Sequence, residues 1–264
     1  MGIAEVIPGI SGGTLALILG VYEKLIEAIH HFDYHLLLLL RKGHFAESWL
    51  YIKGTFLMIL LMGMISSIFA LSSLILYFME GFPVIFKSFI SSILLSSIFI
   101  EPLRPKISGY LVVGLLISFT VCSFLYFLPS RDVIDLDPWY IFFSGFIAIT
   151  ALVVPGISGS FILLLLGSYN AILVALRDLD LAVLSLFIIG AFLGLMSIVR
   201  VIKALYDRNR ELLLAIFFGL IVFCVPLIWL GEENVINLNE SWRLIFGIFL
   251  GIVLVQMISR FARD

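Results

Sequence analysis

An all-α polytopic membrane protein, built as an inverted repeat, is the architecture this sequence predicts, and three observations predict it. Of its 264 residues, 62% are hydrophobic and 13% charged, with a mean hydropathy of +1.20. That leaves too little polar surface to cover a water-soluble core. Apolar stretches long enough to cross a roughly 30 Å hydrocarbon layer recur from end to end, so residues 1–264 read as a single membrane domain. The third observation is a duplicated motif, PGISG followed by GxY, which sets repeat 1 at about 1–128 and repeat 2 at about 139–264. Each unit reads as a re-entrant helical hairpin followed by three transmembrane helices.

Six stretches have the length and composition of ordinary spans: 54–78, 82–100, 108–128, 181–202, 212–230 and 242–258. Two others, 1–21 and 139–169, are cut by PGISG, which leaves about ten apolar residues after the break. At 1.5 Å per residue such a piece reaches only halfway across a bilayer. Both therefore read as hairpins that enter and leave on one side. The first apolar stretch lacks a basic leader, so no cleavable signal peptide is expected. Cys122 and Cys224 fall within apolar spans and carry no disulfide signal.

Loop charge tests this topology, because cytoplasmic loops collect Lys and Arg. With the C-terminus inside, six crossings and no crossing by either hairpin, the inner loops hold Lys24, Arg41, Lys42, Lys53, Arg104, Lys106, Arg200, Lys203, Arg208, Arg210, Arg260 and Arg263. The outer loops hold Arg131, Arg177 and Arg243 amid a cluster of Asp and Glu. Twelve against three predicts a multi-pass protein of the cytoplasmic membrane with a cytoplasmic C-terminus.

A shift of 147 residues lays AEVIPGISGGTLALILGVYEKL over ALVVPGISGSFILLLLGSYNAI with eleven identities in twenty-two positions. Shared Pro, Gly, Ser and Tyr at fixed spacing mark a true duplication. Three crossings separate the two hairpins, and an odd number inverts the second. Inverted repeats with discontinuous helices place a binding site at the repeat interface near the midplane.

Proline stops the incoming helix at Pro8 and Pro155, and Gly9 and Gly156 permit the turn. Ser11 and Ser158 are good N-caps for the half-helix that follows. Gly12, Gly13 and Thr14, and Gly159 and Ser160, then present backbone N–H groups. A helix N-terminus carries partial positive charge and free donors, a combination that binds anions. The competing reading is a tight turn whose glycines serve close helix packing. Gly20 and Gly167 are expected to end the half-helices, with Tyr22 and Tyr169 as interface anchors.

Outside the motifs, Lys87 lies inside an apolar span as a candidate charge partner, or as a side chain that snorkels to the interface. Ser88, Ser92 and Ser96 repeat at i, i+4, as a packing face does. Glu5 is a candidate proton relay, and Arg200 an interfacial anchor within reach of a head group. His30, His31, His35 and Asp33 lack the further spaced ligands a metal site needs. No metal, cofactor or nucleic-acid partner is called for, and the oligomeric state is not legible.

The strings AEVIPGISGGTLALILGVYEKLI and PGISGSFILLLLGSY closely resemble the PopT family of polyprenyl-phosphate transporters, over essentially the whole chain. Members are implicated in returning undecaprenyl phosphate across the membrane for cell-envelope synthesis. The resemblance implies a lipid-phosphate flippase whose head-group site is Pro8–Thr14 with Pro155–Phe161, a polyprenyl phosphate in the bilayer as partner, and a proton or sodium ion as candidate coupling ion. Family members carry several more residues ahead of the glycine corresponding to Gly2, so either the start lies further upstream or the first hairpin arm is shortened. The alternatives are an intramembrane polyprenyl-pyrophosphate phosphatase and a transporter of a small soluble anion. Those phosphatases carry PGxSRS, and here Gly12 and Gly159 stand in place of its arginine. The fork that would hold a transferring phosphoryl group is missing, so a transporter, not an enzyme, is expected.

Overall fold

The computed structural model describes residues 1–2, 11–101, 103–127, 137–229 and 241–261. Among these there is no strand. Glu5, Pro8 and Gly9 lie outside the described residues.

After the first motif come two short helices, α1 (Gly12–Ile18) and α2 (Tyr22–His30). Two more, α3 (Tyr34–Arg41) and α4 (Phe45–Tyr51), precede the long apolar α5 (Gly54–Gly81). The histidine-rich segment is held by ordinary polar contacts. His31 stacks on Tyr51 and its Nδ1 lies 2.6 Å from the Tyr51 carbonyl oxygen. Asp33 accepts from the Leu36 amide and the Tyr51 hydroxyl. Next come α6 (Pro83–Ser97) and α7 (Gly109–Phe127). The second unit opens with α8 (Pro138–Val153), α9 (Gly159–Leu165) and α10 (Tyr169–Arg177), and ends with α11 (Leu181–Ile228) and α12 (Ser241–Phe261).

Two expected spans are corrected. The stretch 82–100 is helical only over the 15 residues of α6, because the chain turns through Ile98 to Glu101. The expected spans 181–202 and 212–230 are two helices, but no loop separates them: within the 48 residues of α11 they meet at the non-helical Asn209 (φ −155°, ψ 79°). A straight helix of that length would measure about 70 Å, over twice the hydrocarbon thickness, so the break divides α11 into two limbs. The Asn209 side chain accepts from the Leu212 amide and caps the second limb. By length and apolar composition four described helices can cross a membrane, or five if the bent pair α9–α10 is one span.

Small residues set how these helices pack. Methyl groups placed on Gly190 and Gly194 would lie 2.0 Å from the Phe142 carbonyl oxygen and 2.2 Å from that of Phe146, so α8 and the first limb of α11 touch backbone to backbone. The matched pairs 142/190 and 146/194 mean that the two helices run parallel. Ser88 and Ser92 of α6 nest against Gly247 and Gly251 of α12, at 2.0 and 1.8 Å from the position a Cβ would take. The serines thus serve helix packing, and α6 and α12 are also parallel. Gly114 and Ser118 of α7 meet Ala215 and Gly219 of the second limb of α11 in the same way. Ser118 donates to the Ile216 carbonyl at 2.8 Å, and Cys122 and Cys224 face each other with Sγ atoms 3.7 Å apart. These seams gain by close backbone contact, the means by which helices associate in lipid.

Candidate functional site

The second hairpin is complete. Helix α8 ends because Pro155 has no N–H and drives Val154 into an extended conformation (ψ 118°). Gly156 takes φ +90°, a left-handed angle that costs a side-chain-bearing residue dearly. Helix α9 then runs back along α8. Gly159 sits against the Ala148 carbonyl, and the Tyr140 hydroxyl donates to the Leu166 carbonyl. At Gly167 (φ +69°) the chain turns through 110° into α10. Because α8 and the first limb of α11 start at the same level and run parallel, the hairpin returns to the side it came from.

In the described part of the first motif the local structure repeats with the same 147-residue offset. Helices α1 and α9 are seven residues each, α2 and α10 nine each. Gly20 has the same φ of +69° as Gly167. The amides of Gly20 and Val21 bond to Leu17 and Ala16, as those of Gly167 and Ser168 bond to Leu164 and Leu163. These 4→1 and 6→1 closures end a helix on a left-handed glycine. The expectation that GxY ends each half-helix fits.

The two motifs meet, although about 140 residues separate them in sequence. The last carbonyls of any helix lack intrahelical partners. Those of α8 are served by side chains of the first repeat. Ser11 Oγ lies 2.8 Å from the Ala151 oxygen and 3.2 Å from that of Leu152, and the Tyr22 hydroxyl donates to Val153 at 3.0 Å. Thr14 Oγ1 in turn accepts from the Gly156 amide at 3.1 Å. Ser11 also caps its own helix, accepting from the Gly13 amide at 3.0 Å. Tyr22 is therefore no interface anchor. It is buried, edge-on to Phe217 at 5.6 Å, because its hydroxyl completes the end of α8.

The second motif is bonded differently. Ser158 holds the N-cap position but its side chain does not cap; its Oγ pairs with that of Ser160 at 2.8 Å. The first-turn amides of α9, from Gly159 onward, lack an intrahelical partner, as at any helix start. The structure thus joins Ser11, Gly13, Thr14, Pro155 and Gly156 in one buried knot, with Ser158, Gly159 and Ser160 beside it. Lys87 is half-buried on α6, and Arg200 is exposed on α11.

Charged side chains that loop counting treats as mere topology markers line two adjoining cavities of about 350 and 300 Å³. Arg210 borders both. No spacing rule in the sequence joins Arg104, Lys106 and Arg210 to Glu23, since three separate elements carry them.

Helices long and apolar enough to cross a membrane define a polytopic membrane protein, and a helical hairpin clasped by side chains of the first motif marks its candidate site. The family described as VCA0040-like, undecaprenyl phosphate translocase-like, matches residues 1–243, and the chain belongs to that family. A protein named polyprenyl-phosphate transporter, from Vibrio cholerae serotype O1 (strain ATCC 39315 / El Tor Inaba N16961), is 35% identical over 250 residues, 92% of this chain and 77% of its own. No solved structure matches.

Proposed function

We propose that this protein carries polyprenyl phosphate between the leaflets of the cytoplasmic membrane, returning a lipid carrier for reuse, and that the phosphate is held where the two PGISG motifs meet. The observation that carries the reading is that junction, found in a chain of the translocase-like family. An ionised phosphate cannot cross hydrocarbon unaided, whereas its prenyl tail can. Only the head group needs a polar path, and backbone donors at a protein-buried turn supply one. In this scheme Pro8, Gly9, Ser11, Gly12, Gly13 and Thr14 build one half of the site, and Pro155, Gly156, Ser158, Gly159 and Ser160 the other. The open donors of the second half make the first contact with phosphate.

Helix directions support the inverted repeat. The second helix of unit 1 (α6) pairs in parallel with the third of unit 2 (α12), and the second helix of unit 2 (the later limb of α11) pairs in parallel with the third of unit 1 (α7). If successive spans alternate in direction, equivalent helices of the two units run oppositely, as a two-fold axis in the membrane plane requires. Each leaflet then has its own hairpin leading to one shared site. A proton or sodium gradient is the proposed drive, with Glu5, Lys87 and Arg200 as candidate relay or charge-partner groups.

Binding without hydrolysis is the reading favoured at Gly159. A Cβ there would lie 3.0 Å from the Ala148 carbonyl oxygen, a tight approach that a side chain in the arginine's place meets only if α8 gives by a few tenths of an ångström. Purified protein in liposomes, assayed together for leaflet exchange of a polyprenyl phosphate and for phosphate release from its pyrophosphate, tests this. Exchange without release is expected. Release of phosphate would replace the transporter with an enzyme.

A further inference from the structure

Resting on that reading, we propose a second phosphate site in the same pathway: a docking cleft at the Asn209 bend, where Arg210, Tyr206 and Arg104 receive the lipid's phosphate before it reaches the motif junction. The bend already holds an anion there, one supplied by the protein. Arg210 donates to a Glu23 carboxylate oxygen at 2.9 Å, and the Tyr206 hydroxyl donates to that same oxygen. The Arg210 guanidinium also lies over the Tyr206 ring at 5.1 Å, which fixes the direction of its fork. A guanidinium and a phenol converging on one carboxylate oxygen form a receptor that a phosphate, with more acceptor oxygens and more charge, fills at least as well. The Glu23–Arg210 pair is half-exposed on both sides, so it is weakly held and exchangeable.

The cavities on either side give the ligand its amphiphilic character. The outer one, about 350 Å³, is walled by Arg104, Lys106, Arg210 and Glu211. Lys106 is 3.6 Å from Glu211, whereas no ion pair joins the Arg104 side chain to another group among the described residues. The inner one, about 300 Å³, continues from Arg210 over Leu17, Leu213 and Phe217 to Tyr22. An apolar wall behind a charged rim suits a phosphate bearing an isoprenoid chain better than a free phosphate. Tyr22 closes the inner end, and its hydroxyl donates to Val153 at the motif junction. The cleft therefore leads from a basic rim to the transport site, on the face that the loop charges assign to the cytoplasm. Glu23 acts as the placeholder that an arriving phosphate displaces, and Glu101, which borders both cavities, opposes it by like charge.

The test is equilibrium binding of farnesyl phosphate to purified protein, with inorganic phosphate as the second arm. Arg210→Gln should weaken farnesyl phosphate binding about tenfold, and Arg210→Lys should recover part of it. Glu23→Gln, which removes the placeholder, should tighten binding about threefold. A purely structural ion pair would give both changes the same sign, so opposite signs identify the exchange. Inorganic phosphate competing as well as farnesyl phosphate would assign the cleft to the free ion and overturn the lipid source. Wild-type binding that neither Arg210→Gln nor Glu23→Gln alters would overturn the cleft while leaving the transport reading intact. Liposomes in which the wild-type protein moves no polyprenyl phosphate would instead remove the transport reading itself.

Discussion

The two PGISG motifs share their letters but not their bonds. In the first, the described side chains are committed: Ser11 caps α1 and holds two α8 carbonyls, and Thr14 receives the Gly156 amide. In the second, among the described residues, Ser158 pairs with Ser160 and leaves the start of α9 without a side-chain cap. Two sequence differences follow from this. Gly13 has no space for a side chain, since a Cβ would lie 2.6 Å from the Val153 oxygen; its counterpart Ser160 carries one. Thr14 supplies a polar atom to the clasp, and its counterpart Phe161 cannot. The duplicated motifs thus differ where they are described: Ser11 and Thr14 clasp the end of α8 and the start of the second turn, and Ser158 and Ser160 bond to each other.

Substitutions at paired positions can break or sharpen that division. The largest effect is expected for Gly13→Ser, which drives a side chain into the α8 backbone and should cost about 3 kcal/mol. The reverse change at its counterpart, Ser160→Gly, should cost less than about 1 kcal/mol. Thermal unfolding in detergent separates the two, and equal losses would erase the asymmetry. Next, Ser11→Ala removes a cap and leaves buried carbonyls unsatisfied, a loss of about 2 kcal/mol, against roughly 0.5 kcal/mol for Ser158→Ala. Tyr22→Phe should cost about 1 kcal/mol through the lost bond to Val153, and Tyr169→Phe close to nothing.

The smallest effect concerns α2 and its counterpart α10. Glu27 accepts from Lys53 at the start of α5, while the residue 147 positions on is Val174. The hydrogen bond from Lys53 holds the Glu27 carboxyl below its ordinary range, ahead of an opposing contribution from burial. A depressed folded-state pKa means that the stabilisation is complete above the unfolded value, near 4.5, and fades as pH falls through the lower folded value. Both side chains are part-exposed, so solvent screening leaves only a fraction of a kcal/mol. The protection of α2 amides relative to their intrinsic exchange rate should fall below about pH 4.5, and Lys53→Met should abolish that loss of protection while α10 shows none.

Much of this organisation is legible in the sequence. Pro155 and Gly156 announce the end of α8, Gly20 and Gly167 end the half-helices, and Ser88 and Ser92 mark a packing face. The 147-residue offset recovers the register of α1, α2, α9 and α10. What escaped has a common cause: it depends on partners remote in sequence. Tyr22 reads as an interfacial tyrosine until the α8 terminus arrives beside its hydroxyl. Residues 203–211 are polar enough to read as a loop, but helical continuity on both sides carries the turn through a single residue, Asn209. Arg210 and Glu23 look like separate surface charges because the bend that joins them is tertiary.

On the proposed reading, phosphate is received at the open second motif and the first motif holds the junction together. Leaflet exchange of polyprenyl phosphate in liposomes, normalised to the amount of folded protein, tests it most directly when Ser158→Ala and Ser11→Ala are compared side by side. Ser158→Ala should slow exchange about tenfold with an unchanged melting temperature, and Ser11→Ala should lower the melting temperature and slow exchange per folded molecule less than Ser158→Ala does. Unimpaired exchange in Ser158→Ala, with the loss falling on folded Ser11→Ala, would contradict it.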